Sequence, residues 1–375
     1  MNNSSGNPFP NPTQQLLLQA ALKNGNTVVD AYKAWKKSFE IETYLDHGSF
    51  RLIPLLYKNL HRHNIKDQYT NTFKGVYRQS WYKNQKLFYE SARILELLHD
   101  SGIRSMILKG TALTVLAYHD FGARPMADLD ILIPFSQAEF SIELLKKSGW
   151  EPENNQHLKY NLLYGCGMML VKAGFELDLH WHPFFEARKN LTESDFWDHA
   201  VPVKFADTHT LALCPADMLL HVIVHGLKWN IEPPIRWVAD AITVINASDA
   251  NLDWHYLLNQ VKKYKVVLQV KTAFEYLKIN FDAAIPEFVM NELGEIPVSI
   301  GERILFNNNS RNTDTEPDKF FPKLYNLFLI YLRQTNDVGF FRQIIGFLSY
   351  LRFRSAGKNP IRIVLNYIFR GKTKQ

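Results

Sequence analysis

The sequence predicts an α+β fold in which a small mixed sheet with its helices is flanked by helical regions on both sides. Three observations support this. Apolar residues recur at steps of three and four up to about Asp100, the period of helices that each bury one face. From residue 103 to about 205, short apolar runs alternate with helical stretches and then finish as antiparallel strands. From Pro215 onward the spacing is helical again. The expected division is therefore a disordered tail over 1–12, a helical region over 13–101 and an α/β core over 102–210. A helical region lining a cleft follows over 211–306, then a C-terminal helical region with a basic tail over 307–375.

Taken in order, the start, MNNSSGNPFPNP, is polar and rich in Pro and Asn, a composition that disfavours folding. In KLFYESARILELLHDSG, residues Leu87, Phe88, Ser91, Ile94, Leu95 and Leu98 form one helix face, and Gly102 stops the helix. IRSMILKG is a strand running into a glycine turn, TALTVLAYH a helix, and ADLDILI a strand between Pro125 and Pro134. In the next helix Ser136 and Glu139 have capping-box spacing and Gly149 stands at the C-cap. YNLLYGCGMMLV and FELDLHW flank the turn KAG as an antiparallel hairpin. A polar break, NNNSRNTDTEPD, interrupts the last helical stretch at 307–318.

Two cysteines, Cys166 and Cys214, cannot build a disulfide framework, and they fit a reducing compartment. The first residues lack a secretory signal, and no run approaches the roughly 18 apolar residues of a membrane span. The cytoplasm is the expected location. Net charge is +6, yet Arg342, Arg352, Arg354, Lys358, Arg362, Arg370, Lys372 and Lys374 lie between Phe340 and Gln375 with no acidic residue among them. Basicity belongs to this tail, which reads as solvated helix faces, a peripheral membrane contact or a nucleic-acid contact.

The chemistry centres on RPMADLDILIP. Side chains alternate faces along a strand, so Asp128 and Asp130 point the same way. The run ILI continues without alternation, which implies burial on both faces. Buried unpaired carboxylates cost several kcal/mol each, and a divalent cation resolves that cost. Oxygen ligands favour Mg²⁺ or Mn²⁺. In FELDLHWH, Glu176, Asp178, His180 and His182 share a face, and Asp178 joins the pair if the two strands lie side by side in register. Three carboxylates could then surround two such ions in the manner of in-line phosphoryl transfer. LKGTAL adds Gly110 for close backbone approach, Thr111 as a hydroxyl donor, a helix N-terminus, and Lys109 as a cation.

These motifs carry a resemblance. ILKGTAL, RPMADLDILI, ELDLHW, LLHVIVHGLKW and IRWVADA, with the upstream HGSFRLIPLLYKNL, resemble a family of uncharacterised bacterial nucleotidyltransferases in the polymerase-β-like superfamily, from about Gln14 to Asp240. The resemblance implies a polymerase-β-like core in which Gly110 and Thr111 hold the triphosphate and Asp128 and Asp130 bind two metal ions. It implies that Asp178 binds metal and activates an acceptor hydroxyl. The superfamily's commoner phosphate turn is Gly-Ser followed shortly by arginine; here the turn is Lys109-Gly110-Thr111, with arginine only at Arg124. Lys109 and Arg124 are the candidates to supply that charge.

Pro215 opens a helix that is apolar except for Asp217, His221, His225 and Lys228, a stripe of roughly 80° at about 100° per residue. A zinc-protease motif is excluded, because VIV separates the two histidines and supplies no glutamate. The stripe reads either as core histidines satisfied by Asp217 or Asp240, or as the wall of a cleft. With His180, Arg236 and Asp240 it makes up the candidate cleft and acceptor group. Trp229, Trp237 and Trp254 read as packing. The expected function is a Mg²⁺- or Mn²⁺-dependent transfer of a nucleoside monophosphate from an NTP, with ATP the expected donor, to an unidentified acceptor that could be a small molecule, a sugar or a protein. The alternative is a nucleotide- and metal-binding regulatory module without turnover.

Overall fold

The computed structural model describes residues 8–38, 45–153, 158–188, 194–205, 208–227, 234–247, 252–309, 320–335 and 339–355. Five helices precede the sheet: α1 (Pro12–Leu22), α2 (Asn26–Ser38), α3 (His47–Phe50), α4 (Ile53–Arg62) and the long α5 (Thr70–Asp100). Part of the expected N-terminal disorder is corrected. Phe9 packs against Trp237 and Tyr276, the Trp237 indole donates to Pro8 O, and Asn11 forms a capping box with Gln14 at the start of α1. Large apolar rings within reach of a neighbouring helix outweigh the polar composition around them.

The α5 face predicted from spacing is buried at Leu87, Ser91, Ile94, Leu95 and Leu98, and Phe88 stacks against Phe205. Strand β1 (Met106–Ile107) leads into α6 (Lys109–Leu113), which continues as a π-helical turn over Thr114–Tyr118. Strand β2 (Leu129–Leu132) is buried throughout, as the unbroken apolar run implied. A 3₁₀ turn over Phe135–Gln137 precedes α7 (Ala138–Lys147), so the expected capping box is corrected: Gln137 stands at the N-cap and Ser136 lies inside the turn. The short edge strand β3 (Glu151–Pro152) follows, then α8 (Leu158–Tyr164), β4 (Gly167–Lys172) and β5 (Phe175–His180).

The hairpin is therefore shorter than its sequence suggested. YNLLY belongs to α8, where Gly165 N–H donates to Asn161 O, and only the segment after Cys166 pairs with β5. Ala173 and Gly174 form the tight turn, both at positive φ. After the five-residue α9 (Ser194–Asp198), a second hairpin, β6 (Val201–Phe205) and β7 (Thr208–Ala212), was not anticipated as a unit; β7 joins the sheet parallel to β1. The complete order is β3-β4-β5-β2-β1-β7-β6. Its centre is mixed, since β2 runs parallel to β5 and antiparallel to β1.

Beyond the sheet come α10 (Pro215–Gly226), α11 (Arg236–Ala247), α12 (Trp254–Tyr264), α13 (Val267–Phe281), α14 (Glu287–Glu295), α15 (Ile300–Asn309), α16 (Phe320–Gln334) and α17 (Phe340–Arg354). Helices α10 and α11 approach closely at Gly226, where an added Cβ would stand 2.2 Å from Trp237 Cβ. Tyr331 on α16 and Tyr350 on α17 join Tyr164 of α8 in a small aromatic core of their own. Most of the polar break and the tail from 356 onward lie outside the described residues, and with that tail five of its eight cations. Among the described residues no helix is long and apolar enough to cross a membrane.

Candidate active site

The parallel pairing of β2 with β5 sets Asp130 directly beside Asp178, the register on which the expected triad depended. His180 lies two residues further along β5 on the same face and closes the group. Its Nε2 is 2.8 Å from Asp178 Oδ2 and 3.2 Å from Asp130 Oδ1. One potential ligand atom from each of Asp130, Asp178 and His180 lies within 4.8 Å of the others. Asp128 stands one residue before β2. It lines the same cavity as Asp130, and among the described residues the ion pairs of the site run to Asp130 and Asp178 and not to it.

A cation already sits among these atoms. Lys109 Nζ is 2.6 Å from Asp130 Oδ1, 3.3 Å from Asp178 Oδ2 and 3.2 Å from His180 Nε2. Its backbone adopts φ +39°, a left-handed conformation that costs a non-glycine residue ~1–2 kcal/mol. The effects on charge are reciprocal. Burial opposes ionisation of Asp130 and Asp178, but Lys109 and His180 hold both carboxyls below the usual range. Burial likewise opposes the charge on Lys109 and His180, and the adjacent carboxylates raise both. Asp128 goes the other way: burial, then the charge of Asp130, push its carboxyl up. The ammonium shows that the cluster accepts a positive charge at its centre. Two carboxylates and an imidazole nitrogen fit a divalent ion, and that nitrogen makes Mn²⁺ a better match than an oxygen-only set would.

The cluster opens on a cavity of about 760 Å³. Its walls come from three regions: His47, Gly48 and Arg51 before the sheet, Lys109, Gly110, Arg124, Asp128 and Asp130 within it, and His221, His225, Arg236 and Asp240 after it. Arg124 and Asp240 face each other as a two-bond fork, Nε to Oδ1 at 2.8 Å and Nη2 to Oδ2 at 2.9 Å, and Tyr118 Oη also donates to Asp240 at 2.8 Å. Asn84, buried on α5, fixes the loop that carries Arg124. Its amide donates to Phe121 O and Arg124 O and accepts from Met126 N–H.

Over residues 49–282, which contain this whole arrangement apart from His47 and Gly48, the sequence matches the family described as uncharacterised nucleotidyltransferase. The chain belongs to that family. Among solved structures, the antibiotic-resistance factor ANT(2'')-Ia is 11% identical with a TM-score of 0.33, over 53% of this chain and 97% of its own. An antigenic nucleotidyltransferase-like protein from Paracoccidioides brasiliensis is 15% identical with a TM-score of 0.37, over 57% of this chain and 95% of its own. No curated protein matches the chain.

In this nucleotidyltransferase the remaining candidates are dispersed. Gly110 lines the cavity, where an added Cβ would lie 2.8 Å from Arg124 Nη1 and 2.8 Å from Met126 Sδ, so those side chains would have to shift. Thr111, expected on phosphate, is buried and does not line the cavity. Of the helical stripe, His221 and His225 face the cavity, Lys228 lies outside the described residues, and Asp217 belongs to another environment. Asp217 is fully buried on α10, where it accepts from Tyr256 Oη at 2.9 Å and Cys214 Sγ at 3.4 Å. His47, Arg51 and Asn84 were not picked out as site residues from the sequence. HGSFR entered only as part of the resemblance, because nothing in its spacing places it opposite a strand far downstream.

Proposed function

We propose that this nucleotidyltransferase moves a nucleoside monophosphate from an NTP, with ATP the expected donor, to an acceptor hydroxyl and releases pyrophosphate. The observation that carries this reading is the cluster of Asp130, Asp178 and His180 around a cation, beside a cavity that Arg51, Arg124 and Arg236 also line. A divalent ion held there, Mg²⁺ or Mn²⁺, supplies charge neutralisation and polarisation of phosphate oxygens when bound. Lys109 occupies those ligand atoms in this structure and has to yield them, its ammonium then facing the cavity and the triphosphate. Asp178, relieved of that ammonium, takes the proton of the acceptor hydroxyl as its oxygen attacks the α-phosphorus. The P–O bond to the β-phosphate breaks and pyrophosphate leaves with the electron pair. Asp128 adds negative charge on the same face, and Gly110 lets the chain approach the phosphates closely. Positioning and electrostatics supply most of the rate. Two free thiols support a cytoplasmic setting.

The test is label transfer from each α-labelled NTP with Mg²⁺ or Mn²⁺, using cell extract as the acceptor source. Asp128→Asn and Asp130→Asn should each lower transfer by about 10²-fold or more. Equal transfer by wild type and both variants would refute the assignment of the carboxylates.

A further inference from the structure

Four cationic side chains line the cavity: Arg51, Lys109, Arg124 and Arg236. Their partners differ. Lys109 shares its charge with Asp130 and Asp178, and Arg124 has both of its forked bonds on Asp240. Arg236 Nη1 donates to Pro125 O at 2.8 Å, while its Nε is 3.9 Å from an Asp240 oxygen that Arg124 already holds. Arg51 follows the short α3, whose N-cap Asp46 binds Ser49 through both its N–H and its hydroxyl, and no ion pair reaches Arg51 among the described residues. Thus, among the described residues of this cavity, Arg51, Arg124 and Arg236 share the charge of two carboxylates, Asp240, which Arg124 holds, and Asp128. Burial first, and then the charge of Arg124, depress both Arg51 and Arg236; Arg51 depresses Arg236 further, while Asp240 opposes the shift in both and Asp128 opposes it in Arg51. Like charges gathered in a partly enclosed cavity are costly unless an anion completes them.

We propose that Arg51 and Arg236 are a polyphosphate clamp for the β- and γ-phosphates of the nucleoside triphosphate, and so for the pyrophosphate that leaves. This rests on the transfer reading above. The reacting α-phosphate has to lie by Asp130 and Asp178, and the rest of the triphosphate then extends into a cavity that Arg51 and Arg236 line. Planar guanidinium forks suit phosphate oxygens in pairs, which a lysine ammonium does not. The clamp also gives the helices outside the sheet a role: Arg51 comes from before the core and Arg236 from after it, so a bound triphosphate ties both to the carboxylate strands.

Competition by inorganic tripolyphosphate against a fluorescent ATP analogue tests the clamp without turnover, with adenosine as a control competitor. Arg51→Gln should weaken tripolyphosphate by about 10- to 100-fold and leave adenosine and the melting temperature unchanged. Arg51→Lys, which keeps the charge and loses the fork, should fall between wild type and Arg51→Gln, and it carries the test if Arg51→Gln does not fold. Arg236→Lys should show the same pattern. Tripolyphosphate affinity equal to wild type in both Arg51 variants overturns the clamp, as does an equal loss of adenosine and tripolyphosphate, which would mark a structural role. If wild type transfers label while the variants bind normally, the clamp fails alone; if the variants lose tripolyphosphate but wild type transfers nothing, the transfer reading fails alone.

Discussion

Two buried charge clusters face the same cavity, and they are built on different plans. Around Asp240 the pairing is closed: Arg124 uses a full fork, Tyr118 adds a hydrogen bond, and both ionic partners are 5% exposed. Around Lys109 the pairing is open, because one ammonium and one histidine meet Asp130 and Asp178, with Asp128 nearby and outside these ion pairs among the described residues. The closed pair joins residues 116 apart in sequence and ties the loop before β2 to α11. The open cluster sits on adjacent strands whose backbone hydrogen bonds already hold them together. A balanced ion pair between distant elements ties them together, whereas carboxylates gathered on a rigid sheet leave ligand atoms that Lys109 meets here and that the proposed divalent ion would share. Asp217 gives a third case, a buried carboxylate whose hydrogen bonds come from the neutral Tyr256 hydroxyl and Cys214 thiol.

The sharpest way to break this comparison is to remove one carboxylate from each cluster. Asp240→Asn leaves Arg124 buried without its counter-charge and should cost about 3–5 kcal/mol in urea unfolding; a loss below about 1 kcal/mol would mean the tie is not structural. A smaller effect is expected from Asp217. Burial pushes its carboxyl up to about 6 from the usual 3.8. The folded protein therefore keeps a proton that the unfolded chain has lost between those values, and stability falls as pH rises through that window. From pH 5 to pH 7 the fall attributable to this group is about 1 kcal/mol. Urea midpoints at the two pH values should show it in wild type and not in Asp217→Asn; identical slopes would remove Asp217 from the account. The smallest change is expected where the sequence looks most sensitive. Asp130→Asn should shift stability by less than about 1 kcal/mol, since Asp178 retains Lys109 and repulsion among the acids is relieved, even though transfer is lost. A large loss of stability would show that Asp130 is a structural partner of Lys109 first.

Legibility followed the range of the interactions. Asp128, Asp130 and Asp178 were readable because strand alternation fixes which side chains share a face, and the meeting of Asp130 with Asp178 needed only one register. Gly110 was readable as a close-approach residue, although what approaches it is Arg124 and Met126. Arg124 and Lys109 were readable as cations but not as partners: the sequence offered phosphate for both, and the fold gave them Asp240 and Asp130. The Asp217 stripe misled for a similar reason. A shared helix face extends over several turns, and its two ends met different neighbours, the cavity for His221 and His225 and Tyr256 of α12 for Asp217.

By itself, then, the sequence determined the alternation of strand and helix, the pairing of the two aspartates on one face, and the family to which the chain belongs. Only the tertiary structure decided that His180 completes the carboxylate cluster, that Lys109 holds its centre, and that Arg51 reaches the same cavity as Arg236. The physical reason is that periodicity records which face a residue occupies, while the partner of a buried charge is set by whichever distant element packs against that face.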